Sequence, residues 1–137
     1  MDYSIADRQM SIMDKLGILT DAAKYDVACC LMHNREKAEY TDFLTDFMTD
    51  MEECVTLAKK AGISEDKIIL DPGVGFGKTY EMNLEIIDKM ECLNKLGYPV
   101  LLGTSRKSVI GLTLDLPVEE REEGTLVTTV YGVQKGC

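Results

Sequence analysis

The sequence predicts an α/β protein built from parallel strands that alternate with helices. Three short apolar runs, at residues 27–32, 67–70 and 98–102, have the length and composition of buried strands. Two longer segments, at residues 41–61 and 80–96, carry apolar residues every three or four positions, as amphipathic helices do. Such alternation implies parallel strands joined by right-handed crossovers. The loops that follow the strands should therefore meet at one edge of the sheet, where ligands bind.

Length and charge restrict the class of protein further. A complete (β/α)₈ barrel needs roughly 250 residues, so a chain of 137 residues with three strands is expected to be part of a larger fold. The formal net charge of −9 disfavours nucleic acid or an anionic membrane as a partner, because both attract basic surfaces. No stretch approaches the roughly 18 apolar residues of a membrane span, and the first residues do not resemble a signal peptide. We therefore expect a cytoplasmic protein.

The five cysteines are expected to be reduced thiols, most of which fill the core. They show neither C-x-x-C spacing nor an even count, and the chain has a single histidine, so no zinc site is predicted. Unpaired thiols suit a reducing compartment. These cysteines are Cys29, Cys30, Cys54, Cys92 and Cys137.

The first part of the chain predicts helix and then strand. Residues 1–26 have loosely helical spacing, interrupted at Gly17, which favours one or two helices. The run at 27–32 is continuously apolar, as is typical of a strand buried on both faces. It stops at the polar residues 33–35, where a loop is predicted.

The segment 41–61 is the most clearly helical part of the sequence. Its apolar residues form one stripe, with Asp42 in the first turn and two lysines in the last turn, each matched to the helix dipole. Gly62 follows as a C-cap. The strand at 67–70 then leads into a glycine-rich stretch.

The C-terminal part predicts two more helices around the third strand. The helix at 80–96 ends at Gly97, and the strand at 98–102 follows. A loop then extends through Pro117, and another helix is predicted at 119–135. The inner face of that helix is expected to carry Leu126, Val127, Val130 and Tyr131.

The glycine-rich stretch has the sequence Leu-Asp-Pro-Gly-Val-Gly-Phe-Gly-Lys-Thr at residues 70–79. Its end matches a phosphate-binding P-loop, but Pro72 stands where that motif needs a glycine, five residues before Gly77. A dinucleotide-binding fingerprint fails because Lys78 occupies the position of the third glycine. A turn that only reverses the chain remains possible on this pattern.

Three other features have both a structural and a functional interpretation. Asp71 could cap a turn before proline, or accept hydrogen bonds from the N–H groups of a flat heterocycle. The Ser-Arg-Lys-Ser run at 105–108 could be a solvated basic patch, but on so acidic a chain it favours anion binding. His33 could be an ordinary loop histidine or a functional one. The topology predicts that His33 and Arg106 converge on one site.

Two long motifs in this sequence resemble signatures of dihydropteroate synthase. Residues 70–79 resemble the signature of its sixth strand, and Gly-Tyr-Pro-Val-Leu-Leu-Gly-Thr-Ser-Arg-Lys-Ser-Val-Ile-Gly at 97–111 resembles that of its seventh. Cys-Leu-Met-His at 30–33 is similar to the end of the fifth strand, and residues 120–125 are similar to the start of the seventh helix. The resemblance covers about residues 20–137.

The resemblance implies a (β/α)₈ TIM-barrel fold, of which residues 1–137 would be a partial domain with about three strands, truncated at both ends. It implies a transferase that joins 6-hydroxymethyl-7,8-dihydropterin diphosphate to p-aminobenzoate, giving 7,8-dihydropteroate and diphosphate in folate biosynthesis. It also implies Mg²⁺ as a cofactor and, often, a homodimer. The expected partners are small-molecule substrates, with no nucleic acid and no membrane.

The resemblance also assigns roles to individual residues. Asp71 would accept hydrogen bonds from the ring N–H and amino group of the pterin, and Lys107 would bond the pterin carbonyl and ring nitrogen from the opposite side. We take these two as the candidate catalytic residues. The other expected substrate contacts are Met32 and Gly103 at the pterin slot, Phe76 at the p-aminobenzoate ring, and Arg106 and Ser108 at the far end of that ring.

Several parts of the family's site have no counterpart in this sequence. The metal-associated asparagine and the pocket residues of the first four strands are absent, so no metal ligand is expected here, and the chain alone is expected to lack synthase activity. One alternative is a non-catalytic barrel fragment that needs a partner chain. Another is the pterin-binding methyltransferase family, which shares the barrel and a similarly placed aspartate but lacks the Ser-Arg-Lys-Ser run.

Overall fold

A computed structural model describes residues 12–137 of the chain, with side chains from residue 16 onward. Its first element is helix α1 (Ile12–Lys24), which continues through Gly17 without the predicted interruption. The helix that the sequence predicts within residues 1–26 is confirmed over that range. The part of the prediction that concerns residues 1–11 lies outside the described residues.

Two parallel strands form the centre of the described structure. Strand β1 (Cys29–Met32) pairs with β2 (Ile68–Asp71) in a register that places Met32 opposite Asp71. The predicted third strand, at 98–102, is reduced to a single parallel bridge between Leu70 and Val100. The prediction of a full strand is wrong here. The ladder stops after two hydrogen bonds, from Leu70 N–H to Pro99 O at 2.9 Å and from Leu101 N–H to Leu70 O at 2.8 Å, because the next donors in either direction would be Pro99 and Pro72, which have no N–H.

One face of this sheet packs on the helices and the other is open. Ile68 and Leu70 are buried on the helix side, whereas Cys30 and Leu101 are exposed. The prediction that β1 is buried on both faces is therefore wrong. Alternation along a strand sends neighbouring side chains to opposite faces, and only one face of this sheet is covered in the described part of the chain.

Helix α2 (Phe43–Lys60) supplies much of the core, as its apolar stripe predicts. Phe47 and Met51 are fully buried against the sheet. Asp42 caps the helix by accepting a hydrogen bond from Thr45 N at 3.1 Å. The sequence places Asp42 in the first turn, whereas in the structure it is the residue immediately before that turn.

The helix predicted at 80–96 forms, but its second part is a 3₁₀-helix instead of an α-helix. Helix α3 (Tyr80–Lys89) begins at a Thr79 cap and continues as a 3₁₀-helix over Met90–Leu96. It ends at Gly97, whose φ of +81° confirms the predicted stop.

A short helix, α4 (Ser108–Leu114), stands where the sequence predicts a loop. Val109 and Ile110 on this helix are buried, and Gly111 packs against the guanidinium group of Arg121. With seven residues, α4 spans only about two turns and is too short to show a helical period, which explains the wrong prediction.

Helix α5 (Glu122–Gln134) packs on the core through its glycines. A Cβ at Gly124 would lie 2.4 Å from Ile110 Cγ2, and one at Gly132 would lie 2.7 Å from Leu102 Cδ2. The predicted inner face is wrong for the residues Leu126, Val127 and Val130, which are 59%, 68% and 59% exposed, while Tyr131 packs partly against the core as predicted. Glycine lets a helix approach its neighbour most closely. The spacing of apolar residues alone does not reveal that the glycine-bearing face of α5 is the one that packs on the core.

The cysteines form no disulfide with one another, as the sequence predicts. Cys29 and Cys92 pack partly against the core, whereas Cys30 and Cys137 are exposed, so the prediction that most of the cysteines fill the core is only partly confirmed. No helix among residues 12–137 combines the length and apolar character that crossing a membrane requires.

Candidate functional site

The carboxyl ends of β1, β2 and the segment at 98–102 place several predicted residues together. A Cβ added at Gly103 would lie 3.8 Å from Lys107 Nζ and 3.9 Å from Asp71 Oδ2. Asp71 and Lys107 therefore face the same space across Gly103, and Met32 lies beside them through its pairing with Asp71. The convergence expected from a parallel topology is present for these four residues.

Asp71 is half-buried at the end of β2, with one oxygen already bonded. Its Oδ1 accepts a hydrogen bond from Gly73 N at 2.8 Å. Burial raises the pKa of the carboxyl group, and the Gly73 N–H and the charges of Lys107 and Lys78 oppose that rise. The Oδ2 atom, on the Gly103 side, can accept hydrogen bonds from a ligand.

Lys107 approaches the same space from the turn before α4. Its Nζ donates to Val74 O at 2.6 Å and lies 4.9 Å from the centroid of the Phe76 ring. Burial lowers the pKa of this ammonium group, and the charge of Asp71 partly restores it. Lys107 and Asp71 do not bond each other directly. A carboxylate and an ammonium held apart in this way can bond opposite edges of one flat molecule.

The glycine loop, residues 73–77, lies directly on the chain that follows β1. Gly73 has a φ of +67°, and a Cβ there would lie 1.9 Å from the carbonyl oxygen of His33. Gly77 has a φ of +57°, and a Cβ there would lie 2.3 Å from the carbonyl oxygen of Arg35. Only glycine permits both the backbone conformation and this close contact.

Beneath the glycine loop lies a network of charged side chains that the sequence did not reveal. His33 is 1% exposed, with Nε2 2.9 Å from Asp50 Oδ2 and Nδ1 2.8 Å from Lys78 Nζ. Arg35 donates to both oxygens of Asp50, at 2.7 and 3.0 Å. The sequence did contain one signal: Asp50 lies between Phe47 and Met51 on the apolar side of α2, where a carboxylate needs a buried partner.

His33 and Arg106 do not converge, contrary to the prediction. His33 is buried below the loop, whereas Arg106 is exposed, with its guanidinium 4.0 Å from Glu122 Oε2. The backbone N–H of Arg106 donates to Thr125 Oγ1 at 2.9 Å, and its carbonyl accepts from Arg121 Nη1 at 3.1 Å. These contacts fix the turn, at a φ of +52° for Arg106, and direct the side chain towards α5.

Two further predicted residues border this space. Phe76 is partly buried under the ammonium of Lys107, and Ser108 is exposed at the first position of α4. Their roles stay predictions from the resemblance. Two surface depressions border α5 instead, one lined by residues such as Glu122 and the other by residues such as Val130, and neither includes Asp71 or Lys107. We locate the candidate site by its chemistry, at an open sheet edge and not in an enclosed cavity.

The described residues contain no cluster of side chains that could hold a metal ion by themselves. Among residues 12–137, no group of three or more His, Cys, Asp or Glu side chains could hold one. Asp71 stands near two lysines, whose charges disfavour a bound cation. We therefore assign no metal ligand here.

The burial of His33 should be visible in the pH dependence of stability. Burial, aided by the charge of Lys78 and opposed by Asp50, lowers the pKa of His33 from 6.5 to about 4. The unfolded chain thus binds more protons than the folded chain between these values, so the free energy of unfolding rises with pH across this window. We expect His33 to contribute up to about 3 kcal/mol to that rise.

Urea unfolding of the chain and of its His33→Gln variant, from about pH 4 to about pH 7, measures this contribution. Glutamine keeps an N–H donor for Asp50 but does not titrate, so the rise that remains in the variant belongs to the carboxylates. Equal rises in the two proteins would contradict a buried, neutral His33.

Comparisons with known proteins agree with one another. A family model described as pterin binding enzyme matches residues 5–137. Dihydropteroate synthase of Clostridium beijerinckii is 60% identical over 114 residues, which is 83% of this chain and 42% of that protein. The Bacillus subtilis dihydropteroate synthase is 54% identical over 116 residues, which is 85% of this chain and 41% of that protein.

A solved structure gives the same result. Dihydropteroate synthase from Clostridium difficile, in the presence of pteroic acid, is similar with a TM-score of 0.85 and 42% identity, covering 88% of this chain and 46% of that one. The predicted fold class, part of an α/β barrel, is confirmed by this likeness. The chain spans about two fifths of the length of the curated relatives it matches.

Proposed function

This chain belongs to the family of pterin-binding enzymes, and from that membership we propose that it supplies the pterin-binding edge of a dihydropteroate synthase. The complete enzyme would join 6-hydroxymethyl-7,8-dihydropterin diphosphate to p-aminobenzoate in folate biosynthesis. The observation that carries the proposal is the convergence of Asp71 and Lys107 across Gly103. The match to dihydropteroate synthases at 60% and 54% identity favours this chemistry over the methyltransferase alternative.

The chemistry of a pterin suits this pair of residues. A pterin presents a ring N–H and an amino group on one edge, which are two donors for the Oδ2 side of Asp71. It presents a carbonyl and a ring nitrogen as acceptors for Lys107, which has three N–H donors, one of them bonded to Val74 O. A heterocycle with the opposite pattern would leave buried polar groups unpaired, so the pair selects its ligand.

The second substrate would lie on the outer side of Lys107. Pteroic acid, present in the Clostridium difficile structure, contains both a pterin and p-aminobenzoate. In our proposal the ring of p-aminobenzoate contacts Phe76, and Arg106 and Ser108 shape its far end. Arg106 is exposed, and its Nη2 lies 4.0 Å from Glu122 Oε2, which is a weak ion pair. Its guanidinium can therefore reorient towards a carboxylate.

The proposed reaction is a substitution at the methylene carbon of the pterin. The amine nitrogen of p-aminobenzoate forms a bond to that carbon, the carbon–oxygen bond breaks, and diphosphate leaves with the electron pair. The amine then loses one proton. Positive charge develops on the pterin as diphosphate departs, and the carboxylate of Asp71 on the far edge of the ring stabilises it.

Mg²⁺ stays a proposal that rests on the family resemblance. Residues 12–137 contain no group of three or more His, Cys, Asp or Glu side chains that could hold it, so we propose that the remainder of a complete enzyme supplies its ligands. A divalent ion in the assembled site would neutralise charge on the leaving diphosphate.

A homodimer and a cytoplasmic location are further parts of the proposal. The exposed apolar residues of α5, with Val127 at 68% and Val133 at 65%, are consistent with a helix that meets another surface. Five cysteines without a disulfide suit a reducing cytoplasm. The alternative of a barrel fragment that needs a partner chain is favoured by the open face of the sheet at Cys30 and Leu101.

The proposal predicts binding without turnover for the isolated chain. Titration of ¹⁵N-labelled chain with pteroic acid should shift amide signals at the sheet edge, around Asp71, Gly103 and Lys107, with affinity no tighter than about millimolar because the pocket is open. A steady-state assay of the same sample should form no dihydropteroate above blank. Shifts confined to other surfaces would contradict the binding site, and product formation would contradict the predicted inactivity.

A further inference from the structure

Lys78 follows the glycine loop but points back beneath it. Its Nζ lies 3.0 Å from Gly73 O, 3.0 Å from Phe76 O and 2.8 Å from His33 Nδ1. An ammonium group has three N–H donors, and these three acceptors match them one for one. Lys78 thus bonds the first part of the loop, its far side and the end of β1 at the same time.

The contacts of His33 determine its protonation. The carboxylate of Asp50 can only accept hydrogen bonds, so the proton of a neutral ring lies on Nε2, which is 2.9 Å from Asp50 Oδ2. Nδ1 is then bare and can accept from Lys78. The opposite tautomer would place an N–H against an ammonium and leave two acceptors facing each other at Asp50.

Asp50 is itself held in place by Arg35. The guanidinium group of Arg35 donates Nε and Nη2 to the two oxygens of Asp50, and its Nη1 donates to Glu39 O at 2.7 Å. This bidentate pair fixes the orientation of the carboxylate and, through it, that of His33. The network therefore connects α2, the end of β1 and the glycine loop.

The loop held by Lys78 also determines where Lys107 stands. Val74 lies between Gly73 and Phe76, and Lys78 donates hydrogen bonds to the carbonyls of both. The carbonyl oxygen of Val74 itself accepts from Lys107 Nζ at 2.6 Å. The side chain of Val74 is fully buried, so this carbonyl has little freedom to move while the loop is held. A shift of the loop would displace Lys107 relative to Asp71.

We propose that Lys78 is a positioning residue, which holds the glycine loop on the end of β1 through a neutral His33 and thereby sets the place of Lys107 opposite Asp71. This inference rests on the proposed function only in giving Lys107 a role as pterin ligand. The contact network itself does not depend on any ligand. A buried ammonium is costly, and burial lowers the pKa of Lys78 to about 7, with the charges of Asp71 and Asp50 opposing.

The first test reads the tautomer of His33 in the unaltered chain, without ligand. Two-bond ¹H–¹⁵N correlation spectra at about pH 6, between the pKa values of His33 and Lys78, should show a protonated Nε2 and a bare Nδ1. A proton on Nδ1, or on both nitrogens, would overturn the proposal. This measurement requires no variant, so a variant that does not fold leaves the proposal testable.

The second test removes the ammonium. In Lys78→Met, exchange of the Phe76 amide, which donates to Gly73 O at 3.0 Å, should accelerate by about tenfold or more, and the signals of Lys107 should shift. The Leu70 amide, which donates to Pro99 O at 2.9 Å, should exchange as before. Lys78→Arg should not restore protection, because a planar guanidinium cannot direct its donors to these three acceptors.

The matched control is Lys60→Met, at an exposed lysine on the last turn of α2, which should leave the amides of Phe76 and Leu70 unchanged. Equal acceleration at Phe76 and Leu70 in Lys78→Met would indicate a general effect on stability and overturn the positioning role. Unchanged exchange at Phe76 would overturn it as well. Failure of the proposed function would appear separately, as the absence of shifts on addition of pteroic acid.

Discussion

Replacement of Asp71 by asparagine is expected to abolish detectable binding of pteroic acid to this chain. Asparagine keeps an oxygen for the Gly73 N–H but presents an NH₂ group, a donor, to the donors of the pterin. Two hydrogen bonds to a charged acceptor contribute about 3–6 kcal/mol, so affinity should fall by about 100-fold or more. The amide shifts at Gly103 and Lys107 on titration with pteroic acid measure the loss.

The control for this change is Asp66→Asn, in the 3₁₀ turn that precedes the same strand. Asp66 is exposed, so its replacement makes the same change of charge without touching the sheet edge. Binding in this variant should equal that of the unaltered chain. Retention of the pteroic acid shifts in Asp71→Asn would contradict the role given to the carboxylate.

Replacement of Gly73 by alanine is expected to cost about 3–5 kcal/mol of stability, a large part of the roughly 5–15 kcal/mol typical of a domain. The φ of +67° disfavours any residue with a Cβ, and the added atom would lie 1.9 Å from the carbonyl oxygen of His33. The loop or the end of β1 must move to relieve this contact. Chemical denaturation followed by circular dichroism measures the change.

Gly97→Ala separates the two causes. Gly97 has a similar φ of +81°, but a Cβ there would have no neighbour within 4 Å. This variant should lose only about 1–2 kcal/mol, the cost of the left-handed conformation. Similar losses in the two variants would show that the contact with His33 is not the main cause.

Local chemistry was predictable from the sequence. The stop of the 3₁₀-helix at Gly97 and the long amphipathic helix α2 depend on residues within one turn of themselves, and both were predicted. The convergence of Asp71, Gly103 and Lys107 was predictable too, but from the resemblance to a known family. The rule that loops after parallel strands share an edge led to His33 and Arg106, which do not converge.

Features that depend on distant packing were not predictable. The apolar residues of α5 have helical spacing, but Gly124 and Gly132 make the close contacts, and spacing does not distinguish the two faces. The segment at 98–102 has the composition of a strand, yet it pairs only at Val100, because its register with β2 places Pro99 and Pro72 where the next N–H donors would be.

The network around Lys78 escaped prediction for another reason. Lys78 completes a Gly-Lys-Thr sequence that suggests phosphate binding, but two of its three partners are backbone carbonyls. Carbonyls are present at every residue, so no sequence pattern marks the ones that will be used. For His33 the reason differs: its partner Asp50 comes within reach only when α2 packs against β1, and the one signal in the sequence was the position of Asp50 on the apolar side of α2.

The central claim is that the Asp71–Lys107 edge of this chain can serve a working dihydropteroate synthase. The most direct measurement is the kcat/KM of a chimera in which residues of this chain replace the matched 114-residue segment of the Clostridium beijerinckii protein. We expect the chimera to retain activity within about tenfold of its parent, and to lose it by about 100-fold or more with Asp71→Asn. A folded chimera without synthase activity, or one indifferent to Asp71→Asn, would contradict the claim.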